Sequence, residues 1–223
     1  MSKSMAVCVC LCAVMATAGL ALGEDLWDPP WDLSLPNQTE QGWECMGQPL
    51  DIPVEATWGE NPYGWATATF DNFEYEEVDG PFGEPILTWH AGADGVNGGS
   101  ISITIKNNPD PNMYKELFWQ VTSDGSPTPT GDPPGVSTVP AGGTVTYPPA
   151  PYEYHKWPTG SWYTYNGLVR IEPNPEEETI TFDFAYCTNV SEIVINTVCV
   201  PEPATLSVLA MAGMGMLLRR RRR

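Results

Sequence analysis

Residues 100–106 read Ser100-Ile101-Ser102-Ile103-Thr104-Ile105-Lys106, three isoleucines alternating with hydroxyl and charged side chains. A period of two puts the isoleucines on one face of an extended strand and Ser, Thr and Lys on the other, as in a half-buried β-strand. Residues 179–187 repeat the pattern, with Ile180, Phe182, Phe184 and Tyr186 on one side and Thr179, Thr181 and Asp183 opposite. Working outward, weaker alternation predicts strands at 66–70, 86–90, 117–122, 144–147, 162–172 and 192–198. Between the termini no segment holds a capped 3.6-residue period. About eight short strands separated by Gly, Pro and Asn turns predict an all-β fold, an antiparallel β-sandwich of jelly-roll-like form.

Two stretches break the alternation. Residues 24–64 hold Pro29, Pro30, Pro36, Pro49, Pro53 and Pro62, with Trp27, Trp31, Trp43 and Trp58 among acidic residues. They read as an irregular arm pinned to a sheet by tryptophan plugs. Residues 127–151 contain eight prolines. Each proline removes a ladder donor, which predicts a long surface loop interrupted only by the strand at 144–147.

The ends of the chain have a different composition. Lys3, an apolar run over 5–22 and the small pair Ala21 and Gly23 make residues 1–23 a signal peptide, cut before Glu24. Cys8, Cys10 and Cys12 leave with it. At the other end, residues 200–223 read VPEPATLSVLAMAGMGMLLRRRRR. Pro201 and Pro203 stop regular structure, residues 204–218 are an apolar run about 22 Å long as a helix, and Arg219, Arg220, Arg221, Arg222 and Arg223 orient it with the positive side inward. A single helix there would be a short transmembrane anchor, completed by snorkelling arginines.

The order Val200-Pro201-Glu202-Pro203, then a short Gly/Ala/Met-rich helix, then a terminal arginine cluster resembles the PEP-CTERM sorting signal. The resemblance covers about the last 24 residues. It implies that the chain is a substrate of an exosortase, a membrane-embedded cysteine-type transpeptidase. Cleavage near the motif would convert an inner-membrane-anchored precursor into a cell-surface or exopolysaccharide-matrix protein. A plain C-terminal anchor is the alternative, against which the Pro-Glu-Pro leader speaks. The expected organisation is therefore a signal peptide over 1–23, an extracytoplasmic domain over 24–199 and a sorting signal over 200–223.

From Glu24 to Val200 the chain has 27 acidic side chains against Lys106, Lys115, Lys156 and Arg170, a net of −23. Such a surface repels nucleic acid and anionic membranes and keeps the domain soluble. Cys45, Cys187 and Cys199 remain after the signal peptide is removed. In an oxidising compartment a Cys187–Cys199 disulfide would close the last hairpin, and Cys45 with either would tie down the N-terminal segment. The odd count also leaves free thiols open.

No nucleophile elbow, phosphate loop or HExxH helix is present, and the two histidines, His90 and His155, have nothing in sequence to pair them with a nucleophile. The chain is expected to be non-enzymatic. Two further features bear on binding. The Gly-rich turn from His90 to Gly99 offers Asp94 and Asn97 as oxygen ligands for Ca2+, but lacks an EF-hand ladder and reads first as a hairpin turn; no metal or other cofactor is expected. Between Tyr147 and Tyr165 lie seven aromatics in nineteen residues, of which Tyr154, Trp157, Trp162 and Tyr165 are the candidate carbohydrate contacts. A carbohydrate-binding module is the alternative function. A surface hydrolase comes third, because 27 acidic residues supply many carboxylate pairs and single out none.

Overall fold

The computed structural model describes residues 28–31, 37–107, 110, 112–127, 133–148 and 154–201. The expected signal peptide, the apolar run at 204–218, Glu202, Pro203 and Arg219 to Arg223 lie outside the described residues. Among the described residues the fold is all-β and antiparallel, with no helix long and apolar enough to cross a membrane. The strands in chain order are β1 (Gln38–Glu44), β2 (Val54–Glu55), β3 (Trp58–Glu60), β4 (Thr67–Asp71), β5 (Phe73–Asp79), β6 (Pro85–Ala91) and β7 (Gly99–Lys106). They continue with β8 (Met113–Ser123), β9 (Gly135–Val139), β10 (Thr144–Thr146), β11 (Tyr154–Lys156), β12 (Tyr163–Glu172), β13 (Glu177–Phe184) and β14 (Asn189–Pro201). One sheet runs β2-β4-β7-β13-β9; the other runs β10-β12-β8-β14-β1-β3, with β11 on β12 and the β5–β6 hairpin joined to β14.

β7 behaves as its alternation requires. It lies between β4 and β13, with Ile103 opposite Ala68 on one side and Ile180 on the other. Ile101, Ile103 and Ile105 are fully buried. On the opposite face Ser102 and Thr104 meet Thr181 and Thr179 hydroxyl to hydroxyl, each at 2.9 Å. The inward residues of both sheets form one cluster: Ile101, Ile103, Ile180 and Phe182 from the smaller sheet, with Trp43, Leu117, Trp119, Val169 and Ile195 from the larger. Phe182 meets Trp119 edge-on across the core, with ring centroids 5.3 Å apart. Each such side chain contributes about 1.5–3 kcal/mol of burial.

Four expectations need correction. Residues 24–64 are not wholly irregular, since β1 sits deep in the larger sheet between β14 and β3. Its inward positions are Thr39, Gln41 and Trp43, and two of the three are polar, which erases the hydropathic alternation. Both find a partner across strands: Thr39 bonds the Thr197 hydroxyl at 2.8 Å, and Gln41 Oε1 accepts the Ala66 N–H at 2.7 Å, while Gln41 Nε2 is left without one among the described residues. Trp43 is therefore a core residue of a strand, its indole N–H donating to Val54 O at 3.1 Å. Gly42 on the other face is obligatory, because a Cβ there would stand 2.1 Å from the Trp58 ring.

The Pro-rich stretch likewise contains a second strand, β9, paired with β13. β9 is an edge strand and needs partners on one side only, so prolines at its borders cost no ladder bond. Tyr186 does not continue the Phe182–Phe184 face: β13 ends at Phe184, and Tyr186 is 47% exposed.

The fourth correction concerns the cysteines. Cys45, Cys187 and Cys199 are all free. Asn189 and Cys199 are both in β14, so Cys187 and Cys199 stand at opposite ends of an extended run of about 33 Å, far beyond disulfide reach. The Cys45 N–H bonds Ser191 O, which puts Cys45 at the Cys187 end, about 26 Å from Cys199. Burial pushes the Cys45 thiol up to about 12, and raises that of Cys199 as well, so both stay protonated.

Candidate functional site

β14 is the longest strand among the described residues, thirteen residues between β1 and β8, and it does not stop before the Val-Pro-Glu-Pro sequence. Val200 pairs with Tyr114 and Pro201 with Met113, so the first half of the Val-Pro-Glu-Pro sequence is the last rung of the ladder. Pro201 has no N–H to donate to the ladder. Beside this exit Arg170 lies 3.5 Å over the Tyr114 ring and 3.4 Å from Glu172.

The aromatic cluster divides instead of forming a flat stripe. Trp162 is only 2% exposed, with its indole N–H donating to Asp79 O at 2.8 Å, and is withdrawn as a carbohydrate contact. Trp157 is half-buried; its N–H donates to Thr164 Oγ1 at 2.9 Å and its ring meets Phe82 and His155 edge-on. Tyr147 and Tyr165 pack against the core. Tyr154 is 62% exposed and forms a three-ring group with Tyr163 and Tyr165, centroids 5.7–6.2 Å apart, because Tyr154 pairs with Tyr165 across β11 and β12. The planes are tilted by 38–69°, so the group presents an edge and one exposed face. Lys156 stands 5.7 Å over Tyr163.

The Gly-rich turn is held together by Asp94. Its Oδ1 accepts N–H bonds from Val96 and Asn97 and from the Asn72 amide, and its Oδ2 accepts from the Asn97 amide. These donors, first those of Asn97 and Val96, hold the carboxyl well below the usual aspartate range. Three of these donors converge on Oδ1 and one on Oδ2. Among the described residues no group of three or more His, Cys, Asp or Glu is placed to hold a metal ion. His90 instead serves the sheet, its Nδ1 2.7 Å from Glu76 Oε2 and 3.0 Å from Asn189 Oδ1.

The densest chemistry among the described residues lies in the interior, near the Pro201 end of β14. Lys115, opposite Cys199 on β14 and Ile171 on β12, is inward in phase with Leu117 and Trp119 and has no exposure. Glu178, inward in phase with Ile180 and Phe182, is equally buried and faces it from the other sheet, with Lys115 Nζ 2.5 Å from Glu178 Oε1. Asn107, just past β7, completes the group: Lys115 Nζ donates to Asn107 Oδ1, and Asn107 Nδ2 donates to Glu178 Oε2. Burial pushes the Glu178 carboxyl up by more than Lys115 and Asn107 draw it down. None of these three was a sequence-level candidate, although the signal was there: extending each strand by two residues keeps parity and places a Lys and a Glu on facing inward positions. Compared with protein-family models, curated proteins and solved structures, the chain finds no match.

Proposed function

We propose that this is an exported, non-enzymatic surface protein, processed by an exosortase at its C-terminal signal and retained as a cell-envelope or exopolysaccharide-matrix component. Residues 1–23 direct export. Residues 204–218 hold the precursor in the inner membrane, and Arg219 to Arg223 keep their end inside. Val200, Pro201, Glu202 and Pro203 form the recognised sequence. The two sheets are the layers of an antiparallel β-sandwich of jelly-roll-like type, a reading supported by their shared core and by the first strand lying beside the last. The acidic domain outside keeps its distance from nucleic acid.

The carrying observation is that β14, paired on both sides, runs without a linker into Val200 and Pro201. Cutting after that point removes the anchor and leaves the ladder whole. The test is a Pro201→Ala/Pro203→Ala double variant in the host, followed by gel mobility and fractionation. Uncleaved precursor accumulating in the membrane fraction is expected; processing and surface retention as in the parent would sink the proposal. A second reading, polysaccharide contact, draws support from Tyr154, the exposed member of the three-tyrosine group.

A further inference from the structure

We propose that Lys115 and Asn107 become joined by an amide bond that the folded domain forms by itself, with Glu178 moving the protons. The group is built for one transfer. The nucleophile, the electrophile and the proton carrier each touch the other two, and the lysine and glutamate are sealed from solvent. Glu178 spans the reaction, with Oε1 beside the attacking nitrogen Nζ and Oε2 beside the leaving nitrogen Nδ2. An ion pair in a dry core loses the hydration of both charges, so passing a proton from the ammonium to the carboxylate, to give amine and acid, is favoured there far more than in water. The raised affinity of Glu178 for a proton, caused first by burial, is in keeping with this.

The free amine is then a nucleophile held against a carboxamide, where proximity replaces a bimolecular encounter. Nζ attacks Asn107 Cγ and the Cγ–Nζ bond forms. Glu178 gives its proton to Nδ2, the Cγ–Nδ2 bond breaks and ammonia departs, while the second Nζ proton passes to Glu178. Ammonia leaves neutral and Glu178 keeps that proton as a buried acid, because with Lys115 acylated no cation is left to pair a carboxylate there. One amide has replaced another. No electrons change hands and no co-reactant is needed. Loss of ammonia to solvent makes the step one-way.

The bond would join the continuation of β7 to β8, one strand from each sheet, beside Cys199 and near the Pro201 end of β14. The inference stands on the interior geometry and is independent of the sorting proposal.

The experiment is a peptide map of the purified full chain, cut with trypsin and with an Asp-specific protease. Acylated Lys115 resists trypsin, and cutting before Asp110 leaves residues 107–109 attached to the Lys115 peptide. The joined species is expected one ammonia, about 17 Da, below its sequence mass. Lys115→Met and Asn107→Ala should abolish it. Glu178→Gln keeps the shape but lacks the proton carrier, so it should give folded, unjoined protein. Tryptic cleavage after Lys115, with residues 107–109 released at their sequence mass, would show a buried ion pair only and overturn the proposal. Joining that persists in Glu178→Gln would overturn the role given to Glu178.

Discussion

Ile103→Ala tests the strand on which the fold turns. Ile103 is fully buried, and its neighbours across the ladder are Ala68 and Ile180. The substitution deletes three carbons, worth about 2.4 kcal/mol of transfer free energy at about 0.8 kcal/mol each. A cavity then remains between two sheets whose backbones are held by ladders on either side, which adds to the cost, so a loss of about 3–4 kcal/mol is expected. For a chain of this size that lowers the melting temperature by about 10 °C. Urea unfolding followed by tryptophan emission reads it directly: the midpoint should fall by about 1.5 M at unchanged slope. Ser102→Ala is the internal control. Its side chain faces away from the core, bonded only to the Thr181 hydroxyl at 2.9 Å, and its loss should cost about 0.5–1 kcal/mol. A cost for Ser102→Ala equal to or above that of Ile103→Ala would mean that the faces are reversed, and the whole parity argument would go with it.

Acidity should stabilise the domain within a defined window. Burial, first among the causes, raises the carboxyls of Glu44, Glu116 and Glu178 above the ordinary 4.5, so in the interval above that value the folded chain binds more protons than the unfolded one. Stability therefore falls as pH rises through the window, and the melting temperature should be higher at about pH 5 than at about pH 7.5. Asp94 has the opposite sign: its contribution is present above the ordinary 3.8 and lost as pH falls below it, which sets the acid limit. A melting temperature climbing steadily from about pH 5 to pH 8 would contradict the assignment. For the polysaccharide reading, titration with the host's exopolysaccharide should give a saturable change in tryptophan emission through Trp157, lost in Tyr154→Ala. A Tyr154→Ala chain that binds like the parent would remove that reading.

What could be read in the sequence was whatever buried one uniformly apolar face. β7 and β13 show it plainly, and β8, β12 and β14 show it over their middle residues. β1 was hidden because Thr39 and Gln41 take inward positions and bond Thr197 and the Ala66 N–H, contacts that exist only once distant strands meet. β9 was hidden because proline is read as a strand breaker, and only the sheet order shows that this strand is an edge. Lys115 and Glu178 escaped for a related reason: hydropathy trims a strand at its first charge, although parity continues through it. The aromatic cluster was visible as composition, but whether a ring such as Trp162 or Tyr154 points in or out depends on packing between β11, β12 and the Phe82 loop, which no local pattern encodes.

A protein held by its C-terminus transmits load through the strand that leaves the domain, and here that strand is central. A pull at Pro201 acts along β14, so the bonds to β8 on one side and β1 on the other are loaded together in shear. Had the exit been an edge such as β9, the same pull would peel bonds one at a time, each contributing only about 1 kcal/mol. The weakest point of the central arrangement is its last rungs, from Cys199 to Pro201, where the ladder to β1 has ended at Gln38, Asn37 O accepts the Cys199 N–H, and β8 carries the rest. Lys115 lies opposite Cys199 in that stretch, and through Glu178 and Asn107 it ties β8 to the other sheet. As an ion pair the tie depends on a dry interior and weakens when the end frays and water enters; as an amide it does not. The covalent form would therefore matter most at the place where the proposed attachment concentrates force.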